Sequence, residues 1–78
     1  MSISTVEHIP LAVAVTFAAD EMIVSLADGR RLSVPLAWFP SLAKATPDQL
    51  NNYELLGDGE GIHWPDLDED LSVDGLLR

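Results

Sequence analysis

The chain has 78 residues and a formal net charge of −9, from 13 aspartates and glutamates against 4 lysines and arginines. This charge is repelled by nucleic-acid phosphates and by anionic membrane surfaces, which excludes direct binding to either. Because there is no cysteine, a disulfide framework and a thiolate zinc site are excluded as well.

The composition favours one folded domain over residues 1–78. Its hydrophobic fraction of 47% is too high for a disordered chain, and its length lies near the lower limit of domain size. Residues 1–8, which include His8, lack the basic region and apolar stretch of a signal peptide and are expected to be a frayed end. The lack of cysteine fits a reducing compartment, so we expect a cytoplasmic protein without a membrane segment.

Three strands are expected in the first half of the chain. Residues 9–17 alternate larger and smaller apolar side chains, which is typical of a strand. The larger ones, which are expected to share one face, are Leu11, Val13, Val15 and Phe17. Strands at 21–26 and 31–35 follow, and the Asp28-Gly29 pair between them predicts a two-residue hairpin turn because glycine tolerates positive φ. The pattern predicts a three-stranded antiparallel meander.

The spacing then becomes helical. Apolar residues recur at helical intervals from Trp38 to Ala43, and Pro40 is tolerated because it falls in the first turn. Thr46, Pro47 and Gln49 have the order of a capping box with proline at the first helical position. They predict a short helix over about residues 47–52 that buries Leu50.

A small hairpin is expected next. Residues 54–56 and 62–64 read as strands around the glycine-rich turn 57–61, and Ser72 is expected to cap a final turn. The predicted fold is therefore α+β, a three-stranded antiparallel meander followed by short helices and a small C-terminal hairpin with an acidic tail.

The most unusual feature is the charge of the second half. Between Ala45 and Leu77 there are nine carboxylates and no lysine or arginine. Such a concentration of like charge favours a basic partner, which would be steered onto it. The alternative is a solvated face that keeps the domain soluble. The carboxylates predicted to contact a partner are Glu54, Asp58, Glu60, Asp66, Asp68, Glu69, Asp70 and Asp74.

Two patterns within this segment resemble chemical sites. Asp66, Asp68 and Asp70 alternate as in a calcium loop, but the glycine and glutamate that such a loop needs are replaced by leucines. His63 lies near these aspartates, yet no nucleophile accompanies it, and we expect an exposed or hydrogen-bonded surface residue. A domain of this size has little room for a ligand-sized pocket. The sequence predicts no enzyme activity, no metal and no cofactor.

The aromatic residues have two interpretations. Trp38, Phe39, Tyr53 and Trp64 are expected to form the core that joins helices to sheet. Alternatively, Trp38 or Trp64 anchors an interface, since aromatic side chains dominate the energy of binding hot spots. The open sheet edges also allow a weak edge-to-edge homodimer beside the monomer.

The stretch Gly61–Leu77, with sequence GIHWPDLDEDLSVDGLL, resembles the recurrent motif of a bacterial family called domain of unknown function 2442. Residues 36–42 and 45–47 resemble it too, so the likeness covers about residues 9–78. The resemblance implies a small α+β domain, commonly encoded beside another small protein in a pair suspected to be toxin and antitoxin. It implies no established activity and no catalytic residues.

Two departures from that family distinguish this chain. The family commonly has an arginine where Leu50 stands and another where Glu54 follows Tyr53. Their loss would leave the negative face unneutralised. We therefore expect an acidic binding protein that blocks a cationic nucleic-acid-binding surface, such as a phage anti-CRISPR inhibitor acting as a DNA mimic. The alternative is an antitoxin-like partner of an adjacent small basic protein.

Overall fold

The computed structural model describes residues 11–77 and contains two three-stranded antiparallel sheets with short helices, which confirms an α+β architecture. Residues 1–10, including the predicted frayed end and the start of the predicted first strand, lie outside the described residues. The elements are β1 (Ala12–Ala18), β2 (Glu21–Leu26), β3 (Arg31–Pro35), a 3₁₀ turn (Leu36–Trp38), α1 (Pro40–Ala43), α2 (Pro47–Asn51), β4 (Glu54–Leu56), β5 (Gly61–Trp64), β6 (Glu69–Ser72) and α3 (Val73–Leu76).

The first sheet has the strand order β1-β2-β3 with antiparallel neighbours. The turn between β2 and β3 forms at the predicted Asp28-Gly29 pair, but the two-residue turn was wrong: the Leu26 N–H donates to the Arg30 carbonyl at 2.8 Å, so the loop has three residues, 27–29. Gly29 has a φ of 95°, and Asp28 accepts a hydrogen bond of 3.0 Å from the backbone N–H of Arg30. The Arg30 side chain also pairs with Asp28, at 2.7 Å. Local sequence therefore determines this turn.

β1 does not present the face that its alternation predicts. Ala12 pairs with Leu26 and Ala14 pairs with Ser25, so the β1 strand contains one extra residue, a β-bulge. The bulge reverses the alternation at its N-terminal end: Ala12 is buried, whereas Val13 is 57% exposed. The prediction that Val13 shares one face with Val15 was wrong, because the inserted residue places Val13 on the opposite face.

The helical segment follows its local signals. Pro40 is at the first position of α1, and Thr46 forms the predicted capping box with Gln49 at the start of α2. In that box the Gln49 N–H donates to the Thr46 hydroxyl at 3.2 Å, and the Thr46 N–H donates to the Gln49 side chain at 3.0 Å. Ser72 likewise caps α3, accepting from the Gly75 N–H.

The second sheet has the order β4-β5-β6, so the predicted hairpin has gained a third strand. The expected acidic tail was wrong at residues 69–72, which pair with β5 from Gly61↔Ser72 to Trp64↔Glu69. Glu and Asp are poor strand formers, which is why the local sequence does not predict this strand. Its register follows from Leu71, which lies opposite Ile62 on the inner face.

The two sheets share one core. Its buried residues are Ala12, Val15, Met22, Val24, Leu26, Val34, Leu36, Leu42, Leu50, Ile62, Trp64 and Val73. Three hydrogen bonds join distant parts around it: Trp64 Nε1 donates to the Leu50 carbonyl at 2.9 Å, the Val15 N–H donates to the Tyr53 hydroxyl at 3.0 Å, and the Ala12 N–H donates to the Gly59 carbonyl at 2.7 Å. The last two tie β1 to the second half of the chain.

Candidate functional site

The outer face of the second sheet carries a charged row across its three strands. Glu54 on β4 lies opposite His63 on β5, which lies opposite Asp70 on β6. Residues directly opposite one another in an antiparallel sheet have Cβ atoms only about 5 Å apart. The strands therefore hold one imidazole between two carboxylates. The adjacent row on this face consists of Leu56, Gly61 and Ser72.

His63 and Asp70 form a short hydrogen bond through His63 Nδ1 and Asp70 Oδ1. This hydrogen bond, opposed by partial desolvation and reinforced by the charges of Asp70, Glu54 and Asp68, raises the pKa of His63 above its ordinary value. The expected exposed or hydrogen-bonded surface histidine is therefore confirmed. Its protonated form is a cation held within the acidic surface.

This pair predicts a pH-dependent stability. Because the pKa of His63 is raised on folding, the stabilisation is fully present below about pH 6.5 and is lost as the pH rises through the raised value. Replacing Asp70 with asparagine should bring the His63 pKa down towards its ordinary value and flatten this dependence. NMR titration of the imidazole, together with urea unfolding at pH 5.5 and 8.5, measures both effects. A His63 titration that is the same in wild type and D70N would contradict the pairing.

Several of the predicted contact carboxylates have partners inside the protein. Asp66 accepts a hydrogen bond of 3.0 Å from the Asn52 side chain, and Glu69 accepts one of 2.7 Å from the Ser41 hydroxyl. Glu69 lies on the inner face opposite Trp64 and is half-buried. These bonds hold the 65–70 segment against the helices. Part of the acidity therefore serves the fold.

The other predicted carboxylates lie on or beside the outer face. Asp58 and Glu60 are exposed in the turn between β4 and β5, and Asp74 is exposed in the first turn of α3. Asp68 is exposed with a φ of 50°, in the turn that leads into β6. Together with Glu54 and Asp70 they form what we call the acidic face, whose members are Glu54, Asp58, Glu60, Asp68, Asp70 and Asp74.

The structure separates the two tryptophans. Trp64 is 0% exposed, so it belongs to the core and the prediction that it anchors an interface was wrong. Trp38 is 68% exposed, so the expectation that it lies in the core was wrong, and it remains available as an anchor. A 3₁₀ turn holds Trp38 outward while Leu36, two residues earlier, is buried.

Leu50 is buried, as expected for the helix predicted at 47–52. It is 8% exposed and its carbonyl accepts the Trp64 indole N–H, so this position faces the core and not the acidic face. Of the two positions at which the resemblance implies a cation, only Glu54 lies on the acidic face.

An open groove of about 340 Å³ lies between the 3₁₀ turn and β6, larger than we expected for so small a domain. Trp38 and Phe39 form one wall, and residues of β6 and α3 form the other. The sequence predicts neither this groove nor its lining by Leu71 and Ser72, because it forms where separate elements meet. The only sequence feature that could have indicated the groove is the aromatic pair Trp38-Phe39 next to Pro40.

Neither a metal centre nor a membrane helix is found in the part of the chain that is described. Within residues 11–77, no three His, Asp or Glu side chains are grouped so that they would hold a metal ion. The helices over the same range are too short or too polar for a bilayer crossing. Asp70, the third of the alternating aspartates, lies in β6, so the three aspartates do not share one loop.

The fold and surface define a small α+β domain with two antiparallel sheets and an acidic outer face. The chain belongs to the family described as "Protein of unknown function (DUF2442)", whose model matches residues 12–78. This match confirms the resemblance inferred from the C-terminal half. No curated protein matches the chain.

Two solved structures are similar. One is a protein of unknown function from Rhodospirillum rubrum, with a TM-score of 0.75 and 37% identity, over 87% of this chain and 84% of that one. The other is an uncharacterised protein from Chromobacterium violaceum, with a TM-score of 0.73 and 29% identity, over 86% of this chain and 63% of that one. Both support the fold, and neither carries an assigned activity.

Proposed function

We propose that this protein is a non-enzymatic, cytoplasmic binding protein that docks its acidic face onto the basic surface of another protein and thereby blocks nucleic-acid binding there. One observation carries the proposal. Between Ala45 and Leu77 there is no lysine or arginine, while Glu54, Asp68 and Asp70 surround a single histidine on a sheet face. Concentrating like charge costs folding energy, which a cationic partner offsets on binding.

A sheet holds its side chains in fixed register, so the carboxylates are presented to a partner with little loss of conformational entropy. Complementary charge increases the association rate and selects the orientation of the encounter. Charges are screened over about 8 Å at physiological ionic strength, so affinity should decrease steeply with added salt. In this mechanism the carboxylates compete with nucleic-acid phosphates for the same lysines and arginines. A phage inhibitor of a nucleic-acid-guided bacterial defence complex fits this role.

The test compares two proteins of equal charge. The test variant carries Glu54→Gln, Asp68→Asn and Asp70→Asn, all on the acidic face; the control carries Asp20→Asn, Glu21→Gln and Asp28→Asn, in the first sheet and its turns. Wild type and both variants are immobilised, and proteins retained from a bacterial lysate are compared. A basic protein that wild type and control retain, but the test variant does not, is then bound to a fluorescent DNA duplex. We measure how strongly wild type, control and test variant each displace the duplex from that protein.

We expect the control to displace the duplex as wild type does and the test variant to lose at least tenfold in potency, since charge pairs at an interface typically contribute more than about 1.4 kcal/mol together. All three proteins should show the same far-UV circular dichroism. Equal displacement by the test variant and by wild type would refute the proposal. The proposal would also be refuted if the test variant and the control retained the same proteins from the lysate.

The family resemblance implies a second function, an antitoxin-like partner of a small basic protein encoded next to this one, with the groove beside Trp38 as a place for apolar contact. In that case the protein would bind its partner through a defined apolar site as well as by charge. The adjacent reading frame distinguishes the two proposals. A short basic protein that binds without any competition from DNA would support the second proposal and refute the first.

A further inference from the structure

β6 is an edge strand of the second sheet. Among the described strands it has a hydrogen-bonded neighbour only on its β5 side. The Val73 N–H donates to the Glu60 carbonyl at 3.0 Å, and hydrogen-bonded pairs alternate along an antiparallel ladder. The backbone groups of Leu71 therefore point towards β5. By the same alternation, the backbone N–H groups of Asp70 and Ser72 point away from β5, to the open edge.

Open space lies on both sides of this strand. The groove beside Trp38 reaches β6 on one side, and a second groove of about 480 Å³ on the other side includes Leu56 and Gly61. Asp70, Leu71 and Ser72 line both grooves. An unpaired strand edge with free space on both faces is the usual acceptor of an added peptide strand.

The two sides differ in chemistry. Asp70 lies on the outer face, in the charged row with His63 and Glu54, whereas Leu71 faces the side of Trp38 and the core. Side chains of a strand alternate between faces. A strand added beside β6 would therefore place every second side chain over carboxylates and the others against the exposed tryptophan.

The negative charge at β6 also determines what kind of strand can be added there. A second copy of this chain, added through its own β6, would bring two copies of the acidic run 68–70 close together, and like charges across a strand pair are destabilising. A segment with lysine or arginine at alternate positions has the opposite charge. We propose that β6 binds an extended segment of a basic partner as a fourth strand, with cationic side chains opposite Asp70 and Ser72 and apolar side chains packed against Trp38; this rests on the proposed acidic binding function.

The probe is the fluorescently labelled peptide Val-Arg-Val-Arg-Val-Arg-Val, blocked at both ends, with binding measured by anisotropy. Trp38→Ala should weaken binding at least about tenfold, as loss of an aromatic anchor does at a hot spot. The matched control is Val13→Ala, which removes another exposed apolar side chain that does not line either groove. It should leave affinity unchanged.

Two isomeric peptides test strand pairing itself. Directly opposite residues share a face, so in an antiparallel added strand the arginines lie opposite Asp70 and Ser72 and their amide N–H groups point to β6. N-methylation of the three arginine amides should abolish binding, whereas N-methylation of the three valine amides that each follow an arginine, which point away, should preserve it. Charge is identical in both peptides.

Loss of binding with methylated arginines only, together with the Trp38→Ala effect, would support the proposal. Binding that decreases with salt but is equal for both methylated peptides, and equal for wild type and Trp38→Ala, would overturn strand addition and leave the acidic binding function intact. Failure of the unmethylated peptide to bind at millimolar concentration would also overturn strand addition. The DNA-displacement experiment then decides the proposed function separately.

Discussion

Replacing Trp64 with alanine is expected to unfold the domain. Trp64 is 0% exposed and the largest fully buried side chain in the described residues, and its indole N–H donates to the Leu50 carbonyl. Buried tryptophan-to-alanine changes cost about 3–5 kcal/mol. Since the whole stability of a small domain is about 5 kcal/mol, W64A should leave little or no cooperative transition. Urea unfolding followed by far-UV circular dichroism measures this.

The same chain supplies a matched control. Trp38→Ala removes an identical side chain that is 68% exposed, so it should change the free energy of unfolding by less than about 1 kcal/mol. Trp64→Phe separates the contribution of packing from that of the hydrogen bond. It retains much of the aromatic ring but leaves the Leu50 carbonyl without its donor, at a cost of about 1–3 kcal/mol. Similar transitions for W64A and W38A would contradict the position of Trp64 in the core.

Replacing Gly59 with alanine is expected to be the second most damaging change. Gly59 has a φ of 111°, and a β-carbon there would clash with the Ala12 carbonyl and lie 2.9 Å from the Ala12 nitrogen. The clash would break the 2.7 Å hydrogen bond by which Ala12 joins β1 to the turn at 57–61. Left-handed strain and overpacking each cost about 1–3 kcal/mol, so we expect a loss of about 3 kcal/mol or more.

Gly29→Ala provides the control for this prediction. Gly29 also has positive φ, at 95°, but a β-carbon there would meet nothing within 4 Å. Only the cost of the left-handed backbone conformation remains, which is about 1–3 kcal/mol. Gly29→Ala should therefore reduce the free energy of unfolding by less than Gly59→Ala does. Thermal and urea unfolding of both variants give the comparison. Equal destabilisation would show that Gly59 is constrained by its own backbone and not by its contact with Ala12.

The elements that the sequence predicts are those stabilised by near neighbours. The capping box at Thr46, the proline at the start of α1 and the Asp28-Gly29 turn each involve residues within a few positions, and all form where predicted, although the turn has three residues instead of two. The sequence does not predict the bulge in β1. Ala12, at the start of that strand, donates a hydrogen bond to the carbonyl of Gly59, which is far along the chain. β6 was missed for the same reason, since its strand state depends on pairing with β5.

The candidate site divides in the same way. Its composition, nine carboxylates without a cation from Ala45 to Leu77, is fully visible in the sequence. Its arrangement is not. The pairing of His63 with Asp70, the internal bonds of Asp66 and Glu69, and the exposure of Trp38 all depend on which strands and helices become neighbours.

By itself, the sequence therefore determined the α+β class, the family, the caps, the position of the β2–β3 turn, and the net charge. Each of these follows from composition or from interactions along a few residues. Only the tertiary structure decided which tryptophan is buried, which carboxylates remain on the acidic face, and that β6 has an open edge beside Trp38. These depend on contacts between residues distant in sequence, which neither periodicity nor local propensity specifies.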